Sequence, residues 1–386
     1  MRPRPQRLER LPEQYFTTLL TRVAAAAAAG GEPLVDLGRG NPDVPPPAHV
    51  VARLTASAAE PSARVHGYPP FRGLDELRAA VAARYASVYG VELDPEREVA
   101  VLPGTKTALV ELALVLAERG DAILLPDPGY PDYHSGAALA GARVEPLPLD
   151  REAGWAPDFD AVPRDGVAAA YLNFPSNPCA VCAPPGAFAA AVGFAQAAGA
   201  AIVHDLAYGD LVFDGRRPES FLATPGAKEV GVELFSMSKS YGMAGWRLGF
   251  VVGNAEIVAR VNLLSDHARA GVFTAVQEAG VAALTGPQET VAERRALYER
   301  RRDRVLAALG PHLRCEGTFY VWVELPEGVT PETLLVERRV AVAPGEGFGP
   351  RGAGFARLSL AVADELLDLG LARLAPVFAS AYSGGR

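Results

Sequence analysis

Lys239 stands in the segment Phe235-Ser-Met-Ser-Lys-Ser-Tyr-Gly-Met-Ala-Gly-Trp-Arg-Leu-Gly-Phe250, among small hydroxylic and glycine residues. Apolar, strand-like runs flank it, Val230 to Phe235 before and Trp246 to Val252 after. A lysine so placed can lie in a cleft. Partial burial lowers an ammonium pKa, and the neutral amine is a nucleophile that condenses with carbonyls. Ser236 and Arg247, three before and eight after, can hold a phosphate through a hydroxyl and a guanidinium. A carbonyl and a phosphate on one molecule describe pyridoxal 5′-phosphate (PLP). The alternative is a lysine on a solvated turn.

Three further groups bear on that choice. Ala201-Ile-Val-His-Asp205 reads as a buried parallel strand ending in a carboxylate, with Tyr208 three residues on. Ligands of open α/β sheets sit beyond the carboxyl ends of strands. Asp205 there can pair with a protonated pyridine nitrogen, and Tyr208 can donate to the ring's phenolic oxygen. A helix cap is the other role open to Asp205. In Asn173-Phe-Pro-Ser-Asn-Pro178, Asn177 precedes a proline, is held extended, and can reach the same oxygen, or the stretch is simply a turn. Pro103-Gly-Thr-Lys-Thr107 is a glycine turn leading into a helix at about residues 107–119, whose free N–H groups suit a phosphate.

With these residues in view, the chain resembles fold-type I, PLP-dependent class I/II aminotransferases, nearest the branch of LL-diaminopimelate, aspartate and alanine aminotransferase-like enzymes. The resemblance runs from about Arg10 to about Val377. The matching stretches, in the family's order, are Leu37-Gly-Arg-Gly-Asn-Pro-Asp43, His66-Gly-Tyr-Pro-Pro-Phe-Arg-Gly73, Pro126-Asp-Pro-Gly-Tyr-Pro131, Asn173 to Pro178, His204-Asp-Leu-Ala-Tyr208, Ser236 to Arg247, and Arg357-Leu-Ser359. The resemblance implies that Lys239 is the Schiff-base lysine, that Asp205 meets the pyridine nitrogen, and that Tyr208 and Asn177 meet the phenolic oxygen. It implies that Tyr130 stacks on the ring, and that Gly104, Thr105, Ser236, Ser238 and Arg247 surround the phosphate. Tyr68 is similar to the tyrosine that crosses a homodimer to the partner's phosphate. Arg357 is similar to the arginine that forks onto the substrate α-carboxylate, helped by the backbone at Gly38. Lys106 is a further phosphate contact, a solvated lysine or, as in some relatives, the residue facing a distal substrate carboxylate. The last role would favour acidic substrates such as aspartate, glutamate or a diaminopimelate derivative. Arg39, where many relatives are uncharged, can share that role or face solvent. One departure is Asn177-Pro-Cys-Ala180 in place of the usual Asn-Pro-Thr-Gly, which puts an alanine where the loop normally turns on glycine.

At 386 residues the chain suits two domains. With 49% hydrophobic and 21% charged residues it is composed like an ordinary globular protein, and a net charge of −8 argues against a nucleic-acid surface. The Arg-rich stretch Glu299-Arg-Arg-Arg-Asp-Arg304 is expected to be a solvated helix face. Three cysteines give no disulfide framework. Cys179 and Cys182 form a C-x-x-C without a thioredoxin-like helix start or a second metal-type pair. His204, inside an apolar strand, is expected to pack in the core. No apolar run is long enough for a membrane span, and the alanine run 24–29 reads as part of a helix at about residues 13–29. The expected setting is the cytoplasm.

Positioning these residues requires a sheet. Strands are expected near Val99, Ile123, Val144, Ala168, Ile202, Val232 and Phe250, alternating with helices, which predicts a mostly parallel, seven-stranded-type α/β sheet covered on both faces. Leu74, Leu77, Val81, Tyr85 and Val88 form a helical stripe ending at Gly90. From about 255 to 309 the chain turns helical. Strands follow at 319–325, 340–343 and 356–360, then a helix from Asp364. Residues 45–265 would form the large PLP-binding domain, and 1–44 with 266–386 a smaller, discontinuous α+β domain. The termini (2–10 and 379–386) look loose. The reaction expected is transamination between an L-amino acid and a 2-oxo acid. A β-lyase on the same fold and an aminotransferase-like ligand-sensing regulator are the alternatives. The regulator would need a DNA-binding arm, for which the acidic chain and short N-terminus leave little room. A nicotinamide dehydrogenase lacks its G-x-G-x-x-G.

Overall fold

The computed structural model describes residues 4–310 and 313–383, with side chains to residue 379. Its largest sheet has eight strands in the order Val99–Leu102, Gly249–Gly253, Gly231–Ser236, Ala201–Asp205, Val167–Asn173, Ala122–Asp127, Arg143–Asp150 and Ala156–Pro157. The seven expected strands are present. The eighth is a two-residue antiparallel addition at the edge. Gly249–Gly253 runs antiparallel to both neighbours, and the other five pairings are parallel except at that edge. Burial on both faces explains the near-continuous apolar runs of the central strands. Leu109, Leu112, Ile257 and Val258 pack on Ile123, Leu125 and Val203 on one side. Leu77, Val81, Phe188 and Val192 pack with Leu172 and Ile202 on the other.

The rest of the chain forms a second core. Tyr320–Glu324, Phe355–Ser359 and Ala343–Pro344 make an antiparallel sheet, and Val35–Asp36 pairs in parallel with Val340–Ala341. Leu37, Tyr298, Val305, Leu358, Leu367 and Leu374 fill the space between this sheet and the helices Glu289–Leu309 and Asp364–Ser383. The N-terminal strand thus joins C-terminal structure.

Several local expectations changed. The single strand at 340–343 is two short strands broken at Val342. The helix Asp75–Arg84 widens into a π-turn, Tyr85–Tyr89, before Gly90 closes it at φ 68°. Residues 6–9, expected loose, form one helical turn, and the last helix is described to Ser383, the remainder of the expected loose end lying outside the described residues. Arg301 and Arg302 are not on a solvated face. Both are about 5% exposed. Arg301 bonds Asp43, Asp364 and the Leu360 carbonyl, while Arg302 bonds Asp214 and the Cys315 carbonyl. Asp43, Asp214 and Asp364 lie far away in sequence, and only the neighbouring Asp303 and Glu299 were visible locally, so the local pattern read as surface. Arg guanidinium forks bridge carboxylates from separate segments, and here they tie the N-terminal loop to the C-terminal helix.

Candidate active site

The carboxyl ends of neighbouring strands converge on one edge. Asn173 lies opposite Asp205 in register, Ser236 opposite Gly249, and Leu102 opposite Gly249 on the other side. A cavity of about 470 Å³ opens above that edge. Its lining includes Gly38, Arg39, Thr105, Lys106, Tyr130, Asn177, Asp205, Tyr208, Ser236, Ser238, Lys239, Arg247 and Arg357. Thirteen sequence candidates therefore meet in one place. Gly104 lies immediately behind Thr105. Tyr68 does not line the cavity and is 87% exposed.

The chain has three lysines, Lys106, Lys228 and Lys239. Lys228 is paired with Glu98 at 2.7 Å, and Lys106 with Asp132 at 2.7 Å. Among the described residues Lys239 has no carboxylate partner; its Nζ lies 5.1 Å from the Phe319 ring centroid and 5.8 Å from that of Tyr208. Burial lowers its pKa from 10.5 to about 8. The Arg357 and Arg247 charges push the same way, and Asp205 opposes them. A substantial neutral fraction near pH 8 makes this amine a nucleophile.

Asp205 is buried, with Oδ2 accepting from the Tyr133 hydroxyl at 3.0 Å and Oδ1 from the Ala207 N–H at 3.1 Å. Burial raises its carboxyl pKa, opposed first by the Tyr133 bond. A cation beside it would restore the carboxylate. Asn173 Nδ2 donates to the Asp205 carbonyl at 2.7 Å, and Asn173 Oδ1 accepts from the Asn177 N–H at 2.7 Å. One side chain thus joins the strand end to the loop bearing Asn177. Sequence reasoning quoted Asn173 as part of that stretch but missed its bridging role and missed Tyr133; each lies beside a residue it did name. Burial, followed by the nearby Tyr320, holds the Tyr208 phenol far above its ordinary pKa, so it remains a donor.

Arg357 is 1% exposed. Its Nη1 donates to Asn177 Oδ1 at 2.7 Å and its Nη2 to the Gly38 carbonyl at 3.3 Å, while Nε has no hydrogen-bond partner. The guanidinium carbon is 3.9 Å from the Tyr320 ring centroid and 4.8 Å from that of Phe348. A buried cation held by aromatic faces and neutral oxygens, with no carboxylate of its own, is suited to an anionic ligand group. The Gly38 N–H is already taken by Asp36 Oδ1 at 2.9 Å, so the backbone there acts on Arg357 through its carbonyl.

Thr105 opens a twelve-residue helix, and Gly104 caps it at φ 85°. A Cβ on Gly104 would fall 2.2 Å from Arg247 Nη2, so only glycine lets that guanidinium close on the helix N-terminus. Ser236 and Ser238 lie across the cleft, with the Ser236 hydroxyl accepting from the Ser238 N–H at 3.2 Å. Hydroxyls, a guanidinium and free helix N–H groups are the donor set a phosphate needs. With Lys239 and Asp205 alongside, the cavity's chemistry fits PLP. Ala180 occupies the glycine position of the loop at φ 58° and is fully buried, so the turn is retained with an alanine in the left-handed region.

Comparison with known proteins agrees with this geometry. Residues 32–374 match the family model for aminotransferase class I and II. The chain is 44% identical to the L-glutamine--4-(methylsulfanyl)-2-oxobutanoate aminotransferase of Bacillus subtilis, covering 93% of this chain and 92% of that one. It is 40% identical to the LL-diaminopimelate aminotransferase of Moorella thermoacetica, covering 96% and 97%. A substrate-bound BacF structure from B. subtilis superposes with a TM-score of 0.91 at 36% identity, over 97% of this chain and 98% of that one. The chain belongs to the class I and II aminotransferases, PLP-dependent enzymes of fold type I that exchange an amino group between an amino acid and a 2-oxo acid.

Proposed function

We propose that Lys239 carries the cofactor and moves the proton in this transaminase. The observation that carries the reading is that Lys239 alone of the three lysines is free of a carboxylate, within a cavity shared with Asp205, Arg247 and Arg357. When bound, PLP supplies a carbonyl that condenses with amines and a ring that delocalises the electron pair left at the substrate Cα. Arg247, Ser236, Ser238 and the N–H groups after Gly104 would hold the phosphate. Tyr130 would lie against the ring. The Asp205 carboxylate would keep a proton on the ring nitrogen. Tyr208 and the Asn177 amide donate to the phenolic oxygen; the Asn177 Oδ1 is engaged by Arg357, which leaves Nδ2 for that bond. Arg357 orients the substrate through its α-carboxylate, with Nε as the unused donor. Lys239 Nζ, as the neutral amine, would take the Cα proton and pass it to the cofactor carbon that had carried the carbonyl oxygen, and the second half-reaction would run the same transfer in reverse.

The working unit we infer is a homodimer. Tyr68 is 87% exposed, Phe71 43% and Phe273 45%, and the backbone at Gly271 packs against Pro69 to Phe71, so these aromatic side chains share one surface. A second copy there would bring Tyr68 to the neighbouring phosphate. Residues 45–265 are read as the cofactor-binding body and 1–44 with 266–386 as the second domain. The helix Thr274–Thr285 packs on the cofactor-binding body, with Ala279 and Ala283 in the same core as Leu77 and Val81 and Gln277 accepting from the Leu74 N–H at 2.7 Å. No helix among the described residues is long and apolar enough to cross a membrane. The cytoplasm is the proposed setting, which three free thiols suit. The relatives' names support amino acids with extended side chains as substrates.

The test is a single half-reaction. Cofactor-loaded enzyme given L-glutamine, L-methionine or LL-diaminopimelate without an acceptor should release one equivalent of 2-oxo acid per chain and then stop. Repeated release of ammonia and pyruvate from suitable donors would make the enzyme a lyase instead.

A further inference from the structure

A free cation at position 106 would favour acidic substrates, as the sequence led us to expect. In the folded chain Lys106 is not free. Its Nζ lies 2.7 Å from Asp132 Oδ2, with the lysine side chain 58% exposed and the aspartate side chain 6%. Two neutral donors complete the aspartate: Gln14 Nε2 on Oδ1 at 2.8 Å and the Tyr130 hydroxyl on Oδ2 at 2.6 Å. The buried member controls the pair. Drawing Lys106 toward a ligand would leave Asp132 buried without a cation, which is strongly unfavourable. A ligand carboxylate placed at Lys106 would also meet the charge of Asp132 itself.

Beside this pair the cavity wall is apolar. Phe16, Leu19 and Leu20 from the helix Tyr15–Ala28 and Leu109 from the helix Thr105–Leu116 contribute to it. Leu20 is 43% exposed, an apolar surface that a ligand's hydrocarbon would remove from water. Arg39, also on the lining, is exposed, and a hydrated guanidinium adds little selectivity.

We propose that Asp132 cancels the charge of Lys106 and thereby makes the distal half of the cavity a site for neutral, largely apolar side chains. Asp132 is then a positioning residue for specificity, acting through Lys106. The inference rests on the reading that Arg357 takes the α-carboxylate.

The experiment titrates PLP-loaded enzyme with two unreactive acids, glutarate and 4-methylpentanoate, by calorimetry. Wild type should bind 4-methylpentanoate at least as tightly as glutarate. Removing both charges together, in Lys106→Met/Asp132→Asn, should change the ratio of the two affinities by less than about twofold, since the pair is already neutral. Asp132→Asn should free Lys106 and shift the ratio toward glutarate by about fivefold, a shift that the added Lys106→Met should erase. Wild-type enzyme preferring glutarate by more than tenfold would overturn the proposal. So would a selective loss of glutarate in the folded Lys106→Met/Asp132→Asn enzyme, which removes the pair without leaving an unpaired charge, or an unshifted ratio in a folded Asp132→Asn enzyme. Arg357→Lys separates the underlying reading. It should weaken both acids together, and affinities unchanged for both would remove Arg357 as the anchor while leaving the Lys106 ratios interpretable.

Discussion

At the scale of single residues, the reactive amine sets a pH dependence. Burial, with Arg357 and Arg247, brings Lys239 to about 8. The neutral form that attacks a carbonyl is lost below that pH. The rate of PLP uptake by cofactor-free enzyme should therefore rise about tenfold per unit well below pH 8 and flatten above it. Asp205 is the neighbour that favours the ammonium, so Asp205→Asn should move the midpoint to lower pH. A stopped-flow profile flat from pH 6 to 9 would contradict this. Asp205→Ala should also retain bound cofactor and lose several orders of magnitude in kcat, because nothing then holds the ring nitrogen protonated. Most of these residues were legible because chemistry restricts their type: a lysine among serines and glycines, an acid at a strand end. Lys106 was legible as a cation but not as half of a pair. Asp132 sits 26 positions on, and only the fold brings it to 2.7 Å.

At the scale of elements, alternation and turn residues were enough to read the strand and helix order, since central strands are buried on both faces and helices end at glycines such as Gly90. Long-range polar stitching was not readable. His204 was expected to be core packing, and it is fully buried. Its Nδ1 also lies 2.7 Å from Glu233 Oε2, and its Nε2 is 3.1 Å from the Phe174 carbonyl. Glu233 further accepts from Tyr85 at 2.8 Å, Ser220 at 2.9 Å and the Phe221 N–H at 2.9 Å. This network braces, from below the sheet edge, the strand ending in Asp205 and the loop carrying Asn177. Glu233→Ala would strand four buried groups and should cost about 3–5 kcal/mol of stability. Glu233→Gln, which keeps an acceptor, should cost less. Urea midpoints would read the difference, and an alanine variant within about 1 kcal/mol of wild type would show the network to be dispensable.

At the scale of the whole molecule, the ordinary hydrophobic content pointed to a globular protein. The parallel pairing of residues 35–36 with 340–341 joins segments about 300 positions apart, which no local pattern fixes. Arg301 and Arg302 were misread because their partners come from distant segments. Sedimentation should give a dimer, and Tyr68→Phe should preserve it while weakening retention of PLP severalfold. A fully loaded, active monomer would contradict the shared site. The central claim concerns one atom, Lys239 Nζ, and three lysines make it unusually easy to test. Borohydride reduction of the PLP-loaded protein, followed by digestion and mass spectrometry, should place the phosphopyridoxyl group on the peptide containing Lys239 and on no other. The label on Lys106 or Lys228, or on no lysine, would contradict the account.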